Sequence, residues 1–134
     1  MINLNTQILL IGRQMKNVSI IGDGISAWTL ANAFSESNFS VQMICSNKSV
    51  FGAQQISPNG FNALISLIKK RHFKNKIEKI NRLKVRSIEK NTIKNLSDYD
   101  ISKNFGFYGS ISRKALLTEL RESALKNKNV QVIN

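Results

Sequence analysis

The sequence predicts an incomplete three-layer α/β fold in which helices cover a parallel sheet. The 134 residues are enough for one domain, and a hydrophobic content of 42% is enough for a core. Short apolar runs alternate with longer segments whose apolar residues recur at helical spacing, as in a parallel sheet. The predicted strands are 17–22, 40–45 and 130–133, and the predicted helices are 25–37, 58–70 and 112–127.

The first predicted strand leads directly into a glycine-rich turn. Val18–Ile21 is apolar, and the pattern Gly22-x-Gly24-x-x-Ala27 follows it at once. Gly22 permits a tight turn, Gly24 leaves room for a phosphate, and Ala27 is small enough for the helix to pack on its strand. The N-terminus of the following helix would offer unpaired N–H groups to an anion. This pattern predicts a dinucleotide site; the alternative is a structural turn that binds no ligand.

The helices are predicted from their caps and from the spacing of apolar residues. Ser57 is expected to be an N-cap with Pro58 at the first helical position, and Ser112 is expected to cap the last helix. The positions expected to face the core are Ala27, Leu30, Ala31 and Phe34, then Phe61, Leu64, Ile65 and Ile68, and finally Ala115, Leu116, Leu117, Leu120 and Leu125.

The segments between these elements are less regular. Residues 46–56 are expected to form a loop, and 74–108 a small β-rich insertion that contains a hairpin of 83–88 with 92–96. Residues 1–14 do not belong to the strand–turn–helix pattern and are expected to be a leader or a disordered tail. The predicted domain is therefore 15–134.

Basic residues outnumber acidic ones by 20 to 8, which gives a net charge of +12. Many of them lie in 69–94, where Phe73 is the one aromatic residue, so the stacking platform of single-strand binders is missing. The abundance of Asn, Ile and Lys suggests compositional bias. We expect a solvated basic face and no nucleic-acid partner; a polyanion site, an acidic partner and an anionic membrane surface are the alternatives.

The sequence offers little for a disulfide, a metal ion or a membrane span. The single cysteine excludes an intramolecular disulfide. One cysteine and one histidine are too few for a Cys/His metal site. No apolar run approaches the roughly 20 residues that a membrane helix needs. A cytoplasmic setting is expected, with peripheral membrane contact as an alternative.

Three segments, in order, resemble the N-terminal FAD-binding part of flavin-dependent aromatic monooxygenases of the para-hydroxybenzoate hydroxylase type. That family includes the ubiquinone-biosynthesis hydroxylases. Residues 18–27 resemble its FAD fingerprint, and 52–64 (GAQQISPNGFNAL) resemble its G-A-G-I-x-L-S-P-N run. Residues 108–117 resemble its I-x-R-x-x-L segment. The resemblance covers about 17–134 and implies a Rossmann-like fold that binds FAD.

The resemblance also implies which residues contact the cofactor. The implied cofactor-binding positions are Gly22, Gly24 and Ala27 at the pyrophosphate, Cys45 at the ribose, and Gln54, Gln55 and Arg113 near the flavin. Cys45 is a departure, because the family usually has a Glu there that accepts hydrogen bonds from the ribose. Asp23 is a second departure, and its carboxylate would have to point away from the phosphates.

The resemblance implies a longer enzyme of which this chain is the N-terminal portion. That enzyme would use NAD(P)H and O2 to hydroxylate a small aromatic substrate, as in ubiquinone biosynthesis. A C-terminal segment or a partner chain would supply the remainder. No catalytic residue is identifiable in this chain, so we expect it to be inactive by itself. The alternatives are another FAD- or NAD-dependent oxidoreductase and a basic, non-catalytic nucleotide-fold binding module.

Overall fold

The computed structural model describes residues 16–37, 39–46, 49–69, 71–89, 92–101 and 107–133. The predicted leader, 1–14, lies outside them. In chain order the elements are β1 (Lys16–Ile21), α1 (Ile25–Ser35), β2 (Phe39–Ile44), β3 (Ala53–Ile56), α2 (Pro58–Ile68), a 3-10 helix (Arg71–Lys76), β4 (Glu78–Lys79), β5 (Arg82–Glu89), β6 (Thr92–Asp100), β7 (Gly109–Ser112), α3 (Arg113–Leu125) and β8 (Val130–Ile133).

These elements divide into two compact units. The first contains described residues 16–37, 39–46 and 120–133, and the second contains the described residues between Ser49 and Glu119. The boundary falls inside α3, so each unit takes one part of that helix.

The first unit is built on the parallel sheet that the sequence predicts. Its strand order is β1-β2-β8, and Val18, Val41 and Val130 are partners across the three strands. In the central strand Val41 and Met43 are fully buried, whereas the other residues of that strand are exposed or half-buried. Among the described residues β1 pairs with β2 alone and is an edge strand; Ile21 at its end is 83% exposed.

Helix α1 buries a face that only partly matches the predicted one. Ala31 is buried as predicted and Ala27 and Phe34 are half-buried, but Leu30 is 45% exposed. The other buried residues are Trp28, Asn32 and Ser35. Asn32 Nδ2 donates to the carbonyls of Trp28 and Leu120, both at 2.8 Å, and Ser35 Oγ donates to the Asn32 carbonyl. Backbone carbonyls therefore satisfy the buried polar groups of this face. The spacing of apolar residues in the sequence does not predict that Asn32 and Ser35 are buried.

Helix α3 departs from the prediction at its C-terminal end. It ends at Leu125, two residues earlier than expected, and Leu125 is 42% exposed. Leu116, Leu120 and Ala124 are buried, as an apolar face requires. Glu119 is buried as well, and its carboxylate is paired with Lys76 Nζ. A partner that is distant in the chain thus stabilises an acidic residue on the buried side of the helix.

The second unit contains a strand that the sequence analysis assigned to a loop. Strand β3 pairs antiparallel with β7, which also pairs with β4, so β7 is central in this small sheet. Ile56 and Ile111 are buried. The prediction of a loop over 46–56 was wrong for Ala53–Ile56, because the partner that makes this segment a strand lies far along the chain.

Helix α2 begins as predicted. Ser57 Oγ accepts a hydrogen bond from the Gly60 N–H at 3.2 Å, and Pro58 is the first helical residue. The helix ends two residues earlier than expected, at Ile68, because Lys69 adopts a left-handed conformation with φ of 52°. Phe61 and Ile68 are buried and Leu64 and Ile65 half-buried, which agrees with the predicted apolar face.

The hairpin in the second unit is formed by β5 and β6. Its second strand runs to Asp100, past the predicted end at Leu96, and the pairing shifts register between Val85 and Arg86. Two hydrogen bonds of 2.7 and 2.8 Å join the Arg82 guanidinium to the Asp98 carboxylate.

Candidate nucleotide-binding site

The turn between β1 and α1 has a conformation that favours glycine at its first position. Gly22 has a φ of +132°, which side chains rarely tolerate. Its N–H donates to the Ile44 carbonyl at 2.9 Å, so the turn is tied to the end of β2. A Cβ at Gly22 would lie 3.8 Å from the Ala27 Cβ, consistent with a small residue at position 27. The first glycine and the alanine therefore shape the turn.

Gly24 has a different role in the same turn. It is the N-cap of α1 in an extended conformation, with φ of −80° and ψ of 178°, which any residue can adopt. A Cβ built there would meet no heavy atom of the described residues within 4 Å. Helix α1 has 11 residues and no side-chain cap, so its first N–H groups remain available to an anion beside this open space. The turn therefore fits a pyrophosphate.

Asp23, between the two glycines, is directed to the end of β2. Its Oδ2 accepts hydrogen bonds from the Ser46 N–H and the Ser46 hydroxyl, both at 3.2 Å. The residue is half-buried, while Ser46 is exposed. A carboxylate thus lies at the carboxyl edge of the parallel sheet, where nucleotide ligands bind in open α/β folds.

Cys45 lies in the same cluster and is half-buried. Its Sγ donates to the Gly22 carbonyl over 3.9 Å. Burial raises the pKa of this thiol and the Asp23 carboxylate raises it further, while the Arg121 guanidinium opposes them. The group is therefore a neutral thiol near neutral pH, and a thiol is only a weak hydrogen-bond acceptor.

Arg121 is a residue near this cluster that the sequence analysis missed. Its guanidinium carbon lies 5.6 Å from the centre of the Trp28 ring, and its charge acts on Cys45. It adds a cation to a region where a phosphate-bearing ligand needs one. A basic residue on an amphipathic helix is too common to single out, so only its tertiary neighbours distinguish it.

The residues implied to lie near the flavin are in the second unit. Gln54 and Gln55 are on β3, and Ala53 pairs with Ser112, the residue before Arg113. The Arg113 N–H donates to the Gly52 carbonyl at 2.9 Å, and its side chain is exposed. Gln54 Nε2 donates to the Gln55 carbonyl at 3.1 Å. The structure therefore places Gln54 and Gln55 on one small sheet, with Arg113 directly after β7 at the start of α3. It brings Gly22, Gly24, Ala27 and Cys45 together in the first unit.

Comparison with solved structures shows what this arrangement resembles. PqsL, a probable FAD-dependent monooxygenase from Pseudomonas aeruginosa, superposes with a TM-score of 0.70 over 89% of this chain and 32% of its own, at 16% identity. A 2-methyl-3-hydroxypyridine-5-carboxylic acid oxygenase gives 0.67 over 89% and 32%, at 17% identity. The p-nitrophenol 4-monooxygenase PnpA from Pseudomonas putida gives 0.65 over 88% and 31%, at 12% identity. The shared feature is the fold.

The chain spans about a third of the length of these solved structures. No protein-family model matches it, and no curated protein matches it in sequence. The mixed α/β class and the parallel sheet that the sequence predicts are confirmed, and the neighbours with this fold include FAD-dependent monooxygenases.

Other kinds of site find no support in the part of the chain that the structure describes. No three His, Cys, Asp or Glu side chains there could together hold a metal ion. No helix within those residues combines the length and the apolar character that crossing a membrane requires.

The cluster around Cys45 can be tested through the reactivity of its thiol. The reaction of Cys45 with a thiol reagent should be slower at pH 7.5 than that of free cysteine, because a raised pKa lowers the thiolate fraction at any pH below it. Asp23→Asn should speed the reaction by removing one of the causes of that raised pKa. With one cysteine in the sequence, the signal is unambiguous. An unchanged rate in Asp23→Asn, measured by reagent absorbance, would contradict the proximity of the two groups.

Proposed function

We propose that this chain is the FAD-binding portion of a flavin-dependent monooxygenase. The observation that carries the proposal is the β1–α1 turn, in which Gly22 has a positive φ and the Cβ direction of Gly24 opens into space beside a helix N-terminus. The fold shared with FAD-dependent monooxygenases supports it. A glycine turn of this form, between a strand and a helix, is the usual binding place of a dinucleotide pyrophosphate.

The residues of the first unit would bind and orient the nucleotide half of FAD. The N–H groups at the start of α1 would donate to the pyrophosphate oxygens, and Gly24 would allow the phosphates to approach the backbone closely. Arg121 would add positive charge at the same edge. Ala27 would keep α1 close enough to β1 to hold this geometry. These residues would position the cofactor, and the cofactor itself would carry out the redox chemistry.

The flavin-side contacts remain predictions from the resemblance. Gln54, Gln55 and Arg113 would contact the flavin, and the exposed guanidinium of Arg113 at the start of α3 would favour a nearby anion. A cation at a helix N-terminus opposes the helix dipole, so an anionic ligand would compensate for its position.

The activity of the whole enzyme is proposed at the level of its class. Bound FAD would accept electrons from NAD(P)H and pass them to O2 for hydroxylation of a small aromatic substrate, with the ubiquinone-biosynthesis hydroxylases as one candidate group. A further C-terminal segment or a partner chain would supply the substrate pocket. We propose a cytoplasmic setting, in which peripheral contact with a membrane would suit a lipid-soluble substrate.

The proposal is tested by equilibrium binding of FAD to the chain, followed by flavin fluorescence and by the absorbance that remains after gel filtration. FAD should bind, and ADP should compete with it, because the turn contacts the pyrophosphate that both contain. Binding of neither nucleotide would overturn the proposal. Micromolar binding of random-sequence DNA at about 150 mM salt, falling steeply with added salt, would instead favour the basic binding module.

A further inference from the structure

A dinucleotide site of this type commonly has a hydrogen-bond acceptor at the end of its second strand. An acidic residue about 20 positions after the glycine turn usually accepts hydrogen bonds from the ribose hydroxyls of the nucleotide. In this chain Cys45 has that spacing, and residues 39–46 (FSVQMICS) contain no Asp or Glu. By sequence position, the ribose acceptor is missing.

The structure nevertheless places a carboxylate at this point. Asp23 Oδ2 lies 3.2 Å from both the N–H and the hydroxyl of Ser46, the residue after Cys45. The carboxylate belongs to the glycine turn, yet it is located at the carboxyl end of β2. All three residues are in the same compact unit.

We propose that Asp23 is the residue that recognises the ribose diol, in place of an acid at position 45. This inference rests on the proposed function and deepens it. A ribose hydroxyl takes the place of the Ser46 hydroxyl as donor to Asp23, while the Ser46 N–H keeps its hydrogen bond and holds the carboxylate at the strand end. The ligand class is a nucleotide with an unmodified ribose diol.

The Ser46 hydroxyl can give up its hydrogen bond to Asp23 in favour of a ribose hydroxyl. Its side chain is exposed, so its hydroxyl can rotate and bond to water when it leaves the carboxylate. A ribose hydroxyl bonded to an ionised carboxylate makes a charge-assisted bond, which is stronger than one between neutral groups. Cys45 is a poor competitor for this role, because its thiol is protonated and donates to the Gly22 carbonyl.

The same carboxylate has an electrostatic consequence for selectivity. A fixed negative charge near the ribose repels a phosphate group on the 2′-oxygen, so nucleotides of the 2′-phosphorylated kind should bind poorly at this turn. The charge also opposes the pyrophosphate itself, and the N-terminus of α1 offsets part of that repulsion.

The test compares ADP with 2′,3′-dideoxy-ADP as ligands of the full chain, by isothermal titration calorimetry. The parent protein should bind ADP about tenfold more tightly, as expected for a hydrogen bond to a charged group. Asp23→Asn should reduce this preference to roughly threefold or less, since a neutral acceptor remains. It should also bind the dideoxy nucleotide at least as tightly as the parent does, because a repulsive charge has been removed.

Three controls isolate the role of Asp23. Cys45→Ala and Ser46→Ala should keep the preference for ADP, because neither residue supplies the acceptor. Glu36→Gln removes the same charge at the opposite end of α1 and should also keep it. Thermal melts of each variant establish that the fold is intact.

The outcomes separate this inference from the proposed function. Binding of ADP with the preference unchanged in Asp23→Asn overturns the inference and leaves FAD binding in place. Loss of the preference in Cys45→Ala also overturns it, since the thiol would then be the contact. Failure of the parent to bind either nucleotide overturns both.

Discussion

Gly24→Val is expected to abolish flavin retention while leaving the fold largely intact. The backbone at Gly24 is extended, and a Cβ there meets no described heavy atom within 4 Å, so valine fits the folded protein without a clash. The same side chain would occupy the space beside the α1 N-terminus that we assign to the pyrophosphate. Overpacking of about 1–3 kcal/mol corresponds to roughly five- to 150-fold weaker binding. Flavin absorbance of the purified protein measures it.

Two further variants serve as comparisons for that result. Ala33→Val introduces the same side chain at an exposed position farther along α1 and should retain flavin like the parent. Gly22→Val should lose both flavin and stability, because a φ of +132° strains a β-branched residue. Equal flavin content in Gly24→Val and the parent would show that the turn does not hold the cofactor.

Gly109→Val is expected to destabilise the protein by about 3 kcal/mol, at the upper end of the range for overpacking. Gly109 is buried in β7, and a Cβ there would overlap Ile77 Cγ2 and lie 2.9 Å from Phe107 Cε1 and 3.0 Å from the Glu78 carbonyl oxygen. The carbonyl belongs to the neighbouring strand β4 and cannot move without breaking its pairing with β7. Thermal unfolding should show a melting temperature lower by roughly 10 °C.

A double-mutant cycle tests the stated cause of this loss. Gly109→Ala and Ile77→Ala should each destabilise the protein, and the double variant should cost less than the sum, because removing the Ile77 side chain relieves part of the overlap. Additive losses would mean that Ile77 is not the obstacle. A Gly109→Val protein as stable as the parent would show that β7 can shift away from β4.

Much of the first unit could be predicted from the sequence because its signals are local. The apolar run, the first glycine and the small residue five positions after it are neighbours in the chain, so the β1–α1 turn can be recognised without a structure. The Ser57–Pro58 cap of α2 is equally local. The approximate positions of all three parallel strands followed from short apolar runs between helices.

The candidate site was predicted less completely, because its chemistry depends on residues from separate segments. The glycines of the turn were recognisable, and so was the absence of an acid at Cys45. The Asp23–Ser46 hydrogen bonds join a turn to a strand end 23 positions away, and the charge of Arg121, on the last helix, acts on Cys45. Neither interaction has a signature in the neighbouring residues.

What the sequence by itself determined is the α/β class, the parallel sheet and the glycine turn, since each depends on residue types at short and regular spacing. The tertiary structure alone decided that Ala53–Ile56 is a strand, that Asn32 and Glu119 are buried, that Gly109 is a packing position, and that a carboxylate lies at the end of β2. The physical reason is common to these cases. A strand partner, a buried acceptor, a steric limit or a counter-charge is supplied by a segment distant in the chain, so its effect arises only when the fold brings the two together.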